Sequence, residues 1–380
     1  MKSIMQKNLW SITSFLENKN YKFNKENILT QLPEKFIDEA IEAISSWDNY
    51  APTPLIKLNK LNDELKLKNI YYKDEDKRFE LKSFKALGGA FAVYKIASEK
   101  KNITVSTATA GNHGRSVAWG AQRLGLKCKI FISEFVSESR AEAMRNLDAE
   151  VIRVKGNYDN SLKECIEQSN KNNWEIVQDV SWEGYKEVPK LIMAGYTIMV
   201  KEIIDEINKN SITHVFLQAG VGGMAAAMIA GFAKLSENIP QFIIIEPENA
   251  DCVFQSIKNN KPTTVDIKKE TVMGGMSCGD VSSIAWEILK NSANYCLTIP
   301  DEAISTAVAL LAEKRLSNEK IIGGECAVPG VIALIGSFNN KEYLDKLELN
   351  EQSNILLFGC EGLTDDAMYQ KLLNDGLQKI

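Results

Sequence analysis

Short apolar runs recur along this chain with helix-forming stretches between them, and that alternation restricts its fold more than any other feature. The runs cover residues 69–73, 103–107, 128–132, 151–154, 214–218, 242–246 and 355–358, and most are rich in β-branched or aromatic side chains. The intervening pattern predicts helices over 84–99, 114–124, 138–147, 158–171, 224–235 and 299–314, with Gly125 and Gly156 at a helix stop and a loop start. Strands that alternate with helices are joined by crossovers, so the expected class is α/β with a largely parallel sheet. With 380 residues, 44% of them hydrophobic, the chain has core enough for two domains or one large one. Ligands of such sheets bind where loops leave the carboxyl ends of the strands.

Several functions are excluded by what the chain lacks. A formal net charge of −5 offers no basic surface for a phosphate backbone, so no nucleic-acid partner is expected. The segment from Met1 to Asn8 has neither the apolar core nor the small-residue cleavage site of a secretory leader. No stretch approaches the ~18 uncharged apolar residues of a membrane span, so a cytosolic protein without a membrane partner is expected. Seven cysteines without CxxC spacing argue against a disulfide framework and a structural zinc site; reduced thiols are expected, with only Cys252 and Cys278 kept open as a pair. The two histidines, His113 and His214, rule out a three-histidine metal centre, and no metal site is expected. His214 lies in an apolar run and reads as a core or edge histidine.

Three short segments carry the chemistry. Ser83-Phe84-Lys85 puts a lysine at the start of a predicted helix, beside exposed backbone amides and the positive end of the helix dipole. Ala110-Gly111-Asn112-His113-Gly114 is a polar turn between the run 103–107 and the next helix, where Asn112 can cap that helix or bond a ligand hydroxyl. Gly220-Val221-Gly222-Gly223-Met224 joins a strand to a helix, so its N–H groups can converge on a phosphate. It is neither a Walker loop nor a GxGxxG fingerprint with a ribose-binding acid, which disfavours ATP and NAD. Each segment alone is weak, since a lysine at a helix start is usually solvated and a glycine turn often binds nothing. Together they supply an amine for covalent attachment, a phosphate cradle and a polar group for a ring hydroxyl, which are the needs of pyridoxal 5'-phosphate.

From about residue 50 to the end, these segments and their order resemble the fold-type II pyridoxal-phosphate enzymes, the superfamily of tryptophan synthase β-subunit and threonine dehydratase. Within it the chain is most similar to the diaminopropionate ammonia-lyase family, through residues 78–90, 111–119, 177–185, 189–196, 218–222, 273–279 and 361–365. The resemblance implies two domains, each with a largely parallel twisted sheet covered by helices. Residues 1–87 and 206–380 would form the larger, cofactor-binding one and 88–205 the smaller. It implies Lys85 and Asp179 as catalytic residues, Lys85 bonding the cofactor and Asp179 taking the α-proton of an L-substrate or binding its distal ammonium. Phe84, Asn112, Gly220, Val221, Gly222, Gly223, Met224 and Cys360 would surround the cofactor, with Asn112 at the ring hydroxyl and Cys360 at the pyridine nitrogen. Ser83, Ala110, Gly111, His113 and Tyr185 would line the substrate side. The implied protein is a homodimer whose partner is a small amino acid, and the implied reaction is α,β-elimination to pyruvate and ammonia.

Two positions depart from that family. Ala110 stands where it has an aspartate assigned to the D-isomer, and Leu363 stands in place of another acid. The expectation is therefore activity on L-2,3-diaminopropionate with loss of the D-isomer. A threonine or serine dehydratase, a β-replacement enzyme on another L-amino acid, and a catalytically reduced ligand-binding relative are the alternatives.

Overall fold

The computed structural model describes residues 9–109, 111–207 and 212–380. In chain order the strands are β1 (Ser14–Glu17), β2 (Leu55–Lys57), β3 (Asn69–Asp74), β4 (Thr104–Ala108), β5 (Lys127–Ser133), β6 (Glu150–Val154), β7 (Glu175–Ile176), β8 (His214–Gln218), β9 (Gln241–Pro247), β10 (Tyr295–Ile299) and β11 (Asn354–Gly359). They form a seven-stranded sheet ordered β1-β10-β9-β8-β11-β3-β2 and a four-stranded sheet ordered β6-β5-β4-β7. The larger sheet is parallel except at its two edges, where β1 and β2 run antiparallel to their neighbours. The smaller is parallel throughout. Every residue of β8 and of β11 is buried, as expected of strands covered on both faces.

The chain divides into two compact units, one per sheet. The first comprises the stretch up to Gln31, Pro52–Lys77 and Met199–Ile380; the second comprises Leu32–Ala51 and Arg78–Ile198. Set beside the expected small domain of 88–205, the second unit also takes in 32–51 and 78–87 and ends at 198. The reason is helix packing. Helix Lys85–Glu99 lies against helices Asn112–Arg123 and Glu187–Tyr196, and Lys95 on its surface pairs with Glu39 of helix Glu34–Ser45 at 2.9 Å.

Local reading and structure part company at Ile299. The predicted helix 299–314 begins only at Ile304 and ends at Ala312. Ile299 instead closes β10, and Pro300, extended at φ −84° and ψ 166°, separates the strand from the short turn that leads into the helix. His214 is a satisfied core histidine, its Nε2 2.7 Å from the Leu347 carbonyl and its Nδ1 2.7 Å from the Thr213 hydroxyl. All seven cysteines, Cys252 and Cys278 included, are free thiols.

Glycines set how closely the helices of the second unit approach. A Cβ on Gly88 would lie 2.5 Å from both the Ile192 carbonyl oxygen and the Tyr196 ring, and one on Gly195 would lie 2.7 Å from the Leu87 carbonyl oxygen. These obstacles are mostly backbone and cannot swing aside. Gly195→Val is expected to destabilise the protein by about 2 kcal/mol or more, read as a lower urea midpoint at unchanged m-value; a midpoint equal to wild type would contradict the packing described.

Candidate active site

In the second unit the chain approaches Lys85 through an unusual backbone. Phe79, Glu80 and Lys82 all have left-handed conformations, with φ of 47°, 62° and 58°. Non-glycine residues adopt that region at a cost of order 1 kcal/mol each, and persist there when surrounding structure dictates it. Ser83 Oγ then accepts the Lys85 N–H at 3.3 Å, and helix Lys85–Glu99 begins. Ser83 and Phe84 are buried, while Lys85 keeps 25% of its side chain exposed. The Phe84 and Tyr196 rings meet edge-on at 4.7 Å, and Lys85 Nζ sits 5.4 Å and 5.8 Å from their centroids.

The lysine points at Asp179. Lys85 Nζ donates to Asp179 Oδ2 at 2.5 Å, and the carboxylate is 15% exposed. Burial alone would push the Asp179 carboxyl up. The His113 ring, which is protonated in the acid range where Asp179 titrates, and the Lys85 ammonium outweigh it and hold the carboxyl well below the usual carboxylate range. His113 Nε2 donates to the Val177 carbonyl at 2.8 Å, and its Nδ1 lies 3.7 Å from Asp179 Oδ2. Desolvation lowers the His113 pKa despite that carboxylate, so the ring is neutral near pH 7.

The segment bearing Asp179 is held by two side chains. Gln178 Oε1 accepts from Thr107 Oγ1 at 2.8 Å and from the Ala108 N–H at 3.1 Å, while its Nε2 donates to the Ala108 carbonyl and to Tyr158 Oη. Tyr185 Oη donates to the Ile176 carbonyl at 2.8 Å and accepts the Gln178 N–H at 2.9 Å, and its ring stacks on Trp182 at 4.1 Å. Tyr185 thus spends its hydroxyl on the backbone that carries Asp179. Thr109 Oγ1 accepts the N–H groups of Gly111 and Gly114 at 3.1 and 3.2 Å and shapes the turn before helix Asn112–Arg123, with Gly111 and Asn112 half-buried. Ala110 lies outside the described residues. Gln178 and Tyr196 are not singled out as site residues by the sequence; the contacts of Gln178 with Thr107 and Ala108 and of Tyr196 with Phe84 and Lys85 reach across 70 to more than 100 residues, and no local pattern announces them.

In the first unit, β8 leads through Ala219 into the glycine turn and helix Gly223–Leu235. Gly222 has φ +88°, and a Cβ there would also meet Leu289 at 2.8 Å. A Cβ on Gly223 would meet nothing within 4 Å, so the backbone at the helix start lies open. The Val221 carbonyl accepts the Ser282 N–H at 2.9 Å, and the Cys252 thiol donates to the Gly220 carbonyl at 3.6 Å; Met224 is buried behind the turn. At the end of β11 the buried Cys360 thiol donates to the Cys326 carbonyl at 3.0 Å.

The Lys85–Asp179 pair also sets a pH dependence. A carboxyl depressed in the folded state stabilises the fold above its unfolded value, near 4, and loses that contribution as pH falls through the folded value. Asp179→Asn is expected to cost about 1–3 kcal/mol at pH 7, with the gap to wild type shrinking below about pH 4. Urea titrations at several pH values check this; a gap that widens in acid would contradict it.

The family described as pyridoxal-phosphate dependent enzymes matches residues 47–360. Diaminopropionate ammonia-lyase of Escherichia coli (strain K12) is 34% identical over 351 residues, spanning 86% of this chain and 88% of that protein. A biosynthetic L-threonine dehydratase of Haemophilus influenzae is 30% identical over 245 residues, spanning 63% of this chain and 45% of that protein. Among solved structures, the Escherichia coli diaminopropionate ammonia-lyase in complex with an aminoacrylate–PLP azomethine intermediate aligns with a TM-score of 0.89 at 31% identity, covering 97% of this chain and 98% of that one. The match over residues 47–360, agreeing with the lysine, the glycine turn and the two parallel sheets, makes this chain a member of the pyridoxal-phosphate dependent enzyme family, in its diaminopropionate ammonia-lyase group.

Proposed function

We propose that this enzyme is an ammonia-lyase that eliminates the β-amine of L-2,3-diaminopropionate, yielding pyruvate and ammonia. The observation that carries the reading is the 2.5 Å pairing of Lys85 with Asp179 beside a neutral His113. The residues present fit pyridoxal phosphate. Lys85 offers a half-buried amine, Gly222 has the left-handed backbone of a tight cradle, and the open backbone at Gly223 starts a thirteen-residue helix whose N–H groups suit a phosphate. Lys85 would bond the cofactor, Gly220 to Met224 would receive its phosphate, Asn112 its ring hydroxyl, and Phe84 and Cys360 would flank the ring. When bound, the cofactor supplies an electron sink that makes the α-proton of an attached amino acid removable.

The rest follows from the chain's own groups. While Lys85 is a free ammonium it holds Asp179 ionised but weakly basic. Lys85 would leave the cofactor as a neutral amine when the substrate amine takes its place, and without the ammonium charge beside it the proton affinity of Asp179 rises toward what a proton acceptor needs. Asp179 then accepts the α-proton, and Gln178 and Tyr185 keep its segment from drifting. The α C–H pair becomes the Cα–Cβ double bond, the β-amine departs with its bonding pair, and hydrolysis of the resulting enamine gives pyruvate and a second ammonia. Ala110 supplies no carboxylate, so Asp179 serves one enantiomer. A cytosolic homodimer is the accompanying expectation; among the described residues no helix is long and apolar enough to cross a membrane.

Purified protein with added pyridoxal phosphate is expected to release pyruvate from L-2,3-diaminopropionate, with the D-isomer, L-serine and L-threonine lower by about 100-fold or more. Asp179→Asn is expected to lower kcat for the L-isomer by about 100-fold or more. Keto acid from L-serine or L-threonine and none from either diamino isomer would overturn the reading in favour of a dehydratase.

A further inference from the structure

Tyr196 closes helix Glu187–Tyr196, and its ring is held from two sides. A Cβ on Gly88 would lie 2.5 Å from the ring carbon Cε1, so only a glycine there admits the ring, and Phe84 meets it edge-on at 4.7 Å. Tyr196 is 1% exposed, yet its hydroxyl has no hydrogen-bond partner among the described residues. A buried hydroxyl left unpaired costs stability that a phenylalanine, with the same ring, would not. A buried polar group of this kind points to a partner that arrives during the working cycle.

The hydroxyl lies in the field of the Lys85–Asp179 pair. Lys85 Nζ is 5.8 Å from the Tyr196 ring centre. Burial raises the phenol pKa, the Lys85 ammonium lowers it and the Asp179 carboxylate raises it, so both charges reach the hydroxyl. The other groups at this corner have no proton to offer. Asp179 Oδ2 accepts from Lys85 at 2.5 Å, the His113 ring donates its N–H to the Val177 carbonyl, and the Tyr185 hydroxyl donates to the Ile176 carbonyl. Of these groups only the Tyr196 hydroxyl holds an uncommitted proton. An ammonium has three N–H donors and no lone pair, so a charged lysine bonds Asp179 and gives the phenol nothing to donate to. A neutral amine has a lone pair, and its flexible stem can carry it to the hydroxyl.

We propose that Tyr196 is a positioning residue for Lys85. When an amino acid displaces the lysine from the cofactor, the Tyr196 O–H donates to the lone pair of the released amine, while that amine donates to Asp179 Oδ2. The inference rests on the reading under Proposed function only in that Lys85 bonds the cofactor; the identity of the leaving group does not enter. Tyr196 makes and breaks no covalent bond and keeps its proton. The state with the lysine displaced thereby gains a hydrogen bond that the resting state lacks, and the hydroxyl favours loading of the amino acid.

Tyr196→Phe removes the hydroxyl and keeps the ring. Holoenzyme is titrated with L-alanine, which can displace the lysine but has no β-group to lose, and with propionate, the same carboxylate without the amine. Visible absorbance of the cofactor follows the exchange with alanine, and competition against alanine gives the propionate affinity. The variant is expected to bind L-alanine about 3- to 10-fold more weakly and propionate within about twofold of wild type, at a melting temperature equal to or above wild type. Equal weakening for both ligands, an unchanged alanine affinity or a lower melting temperature would overturn the inference. A second readout comes from Lys85 itself. Borohydride reduction at one subsaturating alanine concentration, followed by mass spectrometry, is expected to leave a larger share of the reduced cofactor on Lys85 in the variant than in wild type, and an equal share contradicts the proposal. In wild type without amino acid, reduced cofactor absent from Lys85 would instead overturn the reading beneath it.

Discussion

Everything at this site depends on three helices packing closer than ordinary side chains allow. Helix Lys85–Glu99 meets helix Glu187–Tyr196 through Gly88 and Gly195, and meets helix Asn112–Arg123 where Gly89 touches Ser116 and Gly120 touches Ala90. Ser116 Oγ also accepts the Ala90 N–H at 3.1 Å, which pins the two helices in register. Because the obstacles are backbone atoms or short side chains, the helix bearing Lys85 cannot slide without clashing. The chain leading into it is correspondingly fixed, down to left-handed conformations at Phe79, Glu80 and Lys82. Rigidity here orients one amine.

Against that scaffold the electrostatics are sparse and economical. One cation, one carboxylate and one neutral imidazole converge within a few ångströms, each with one face tied to something immobile. Asp179 is fixed through Gln178 and Tyr185, His113 through Val177, and Lys85 through the helix start. The acid–base character of Asp179 is then set by whether Lys85 carries its charge.

Much of this was legible in the residues. The runs at 69–73, 214–218, 242–246 and 355–358 correspond to β3, β8, β9 and β11, because strands buried on both faces read as unbroken apolar stretches. No local pattern marks β1, β2, β7 or β10: three are short or half-buried edge strands whose position is decided by their neighbours, and of β10 only Ile299 falls in a predicted element, the helix whose start Pro300 delays. The lysine and glycine segments were recognisable because their chemistry needs contiguous residues. Asp179 came only through resemblance, since nothing local distinguishes it from a solvated acid. Gln178, Tyr196 and the tautomer of His113 were beyond reach for a physical reason, being properties of contacts between segments remote in the chain.

The claim at the centre of this account is that Lys85, and no other lysine, is the amine that engages the cofactor. Borohydride reduction of the holoenzyme followed by proteolysis and mass spectrometry tests it directly, because reduction makes the carbon–nitrogen bond permanent. The reduced pyridoxyl phosphate mass is expected on the peptide containing Lys85 and nowhere else in stoichiometric amount. The adduct on a different lysine, with Lys85 unmodified, would contradict it.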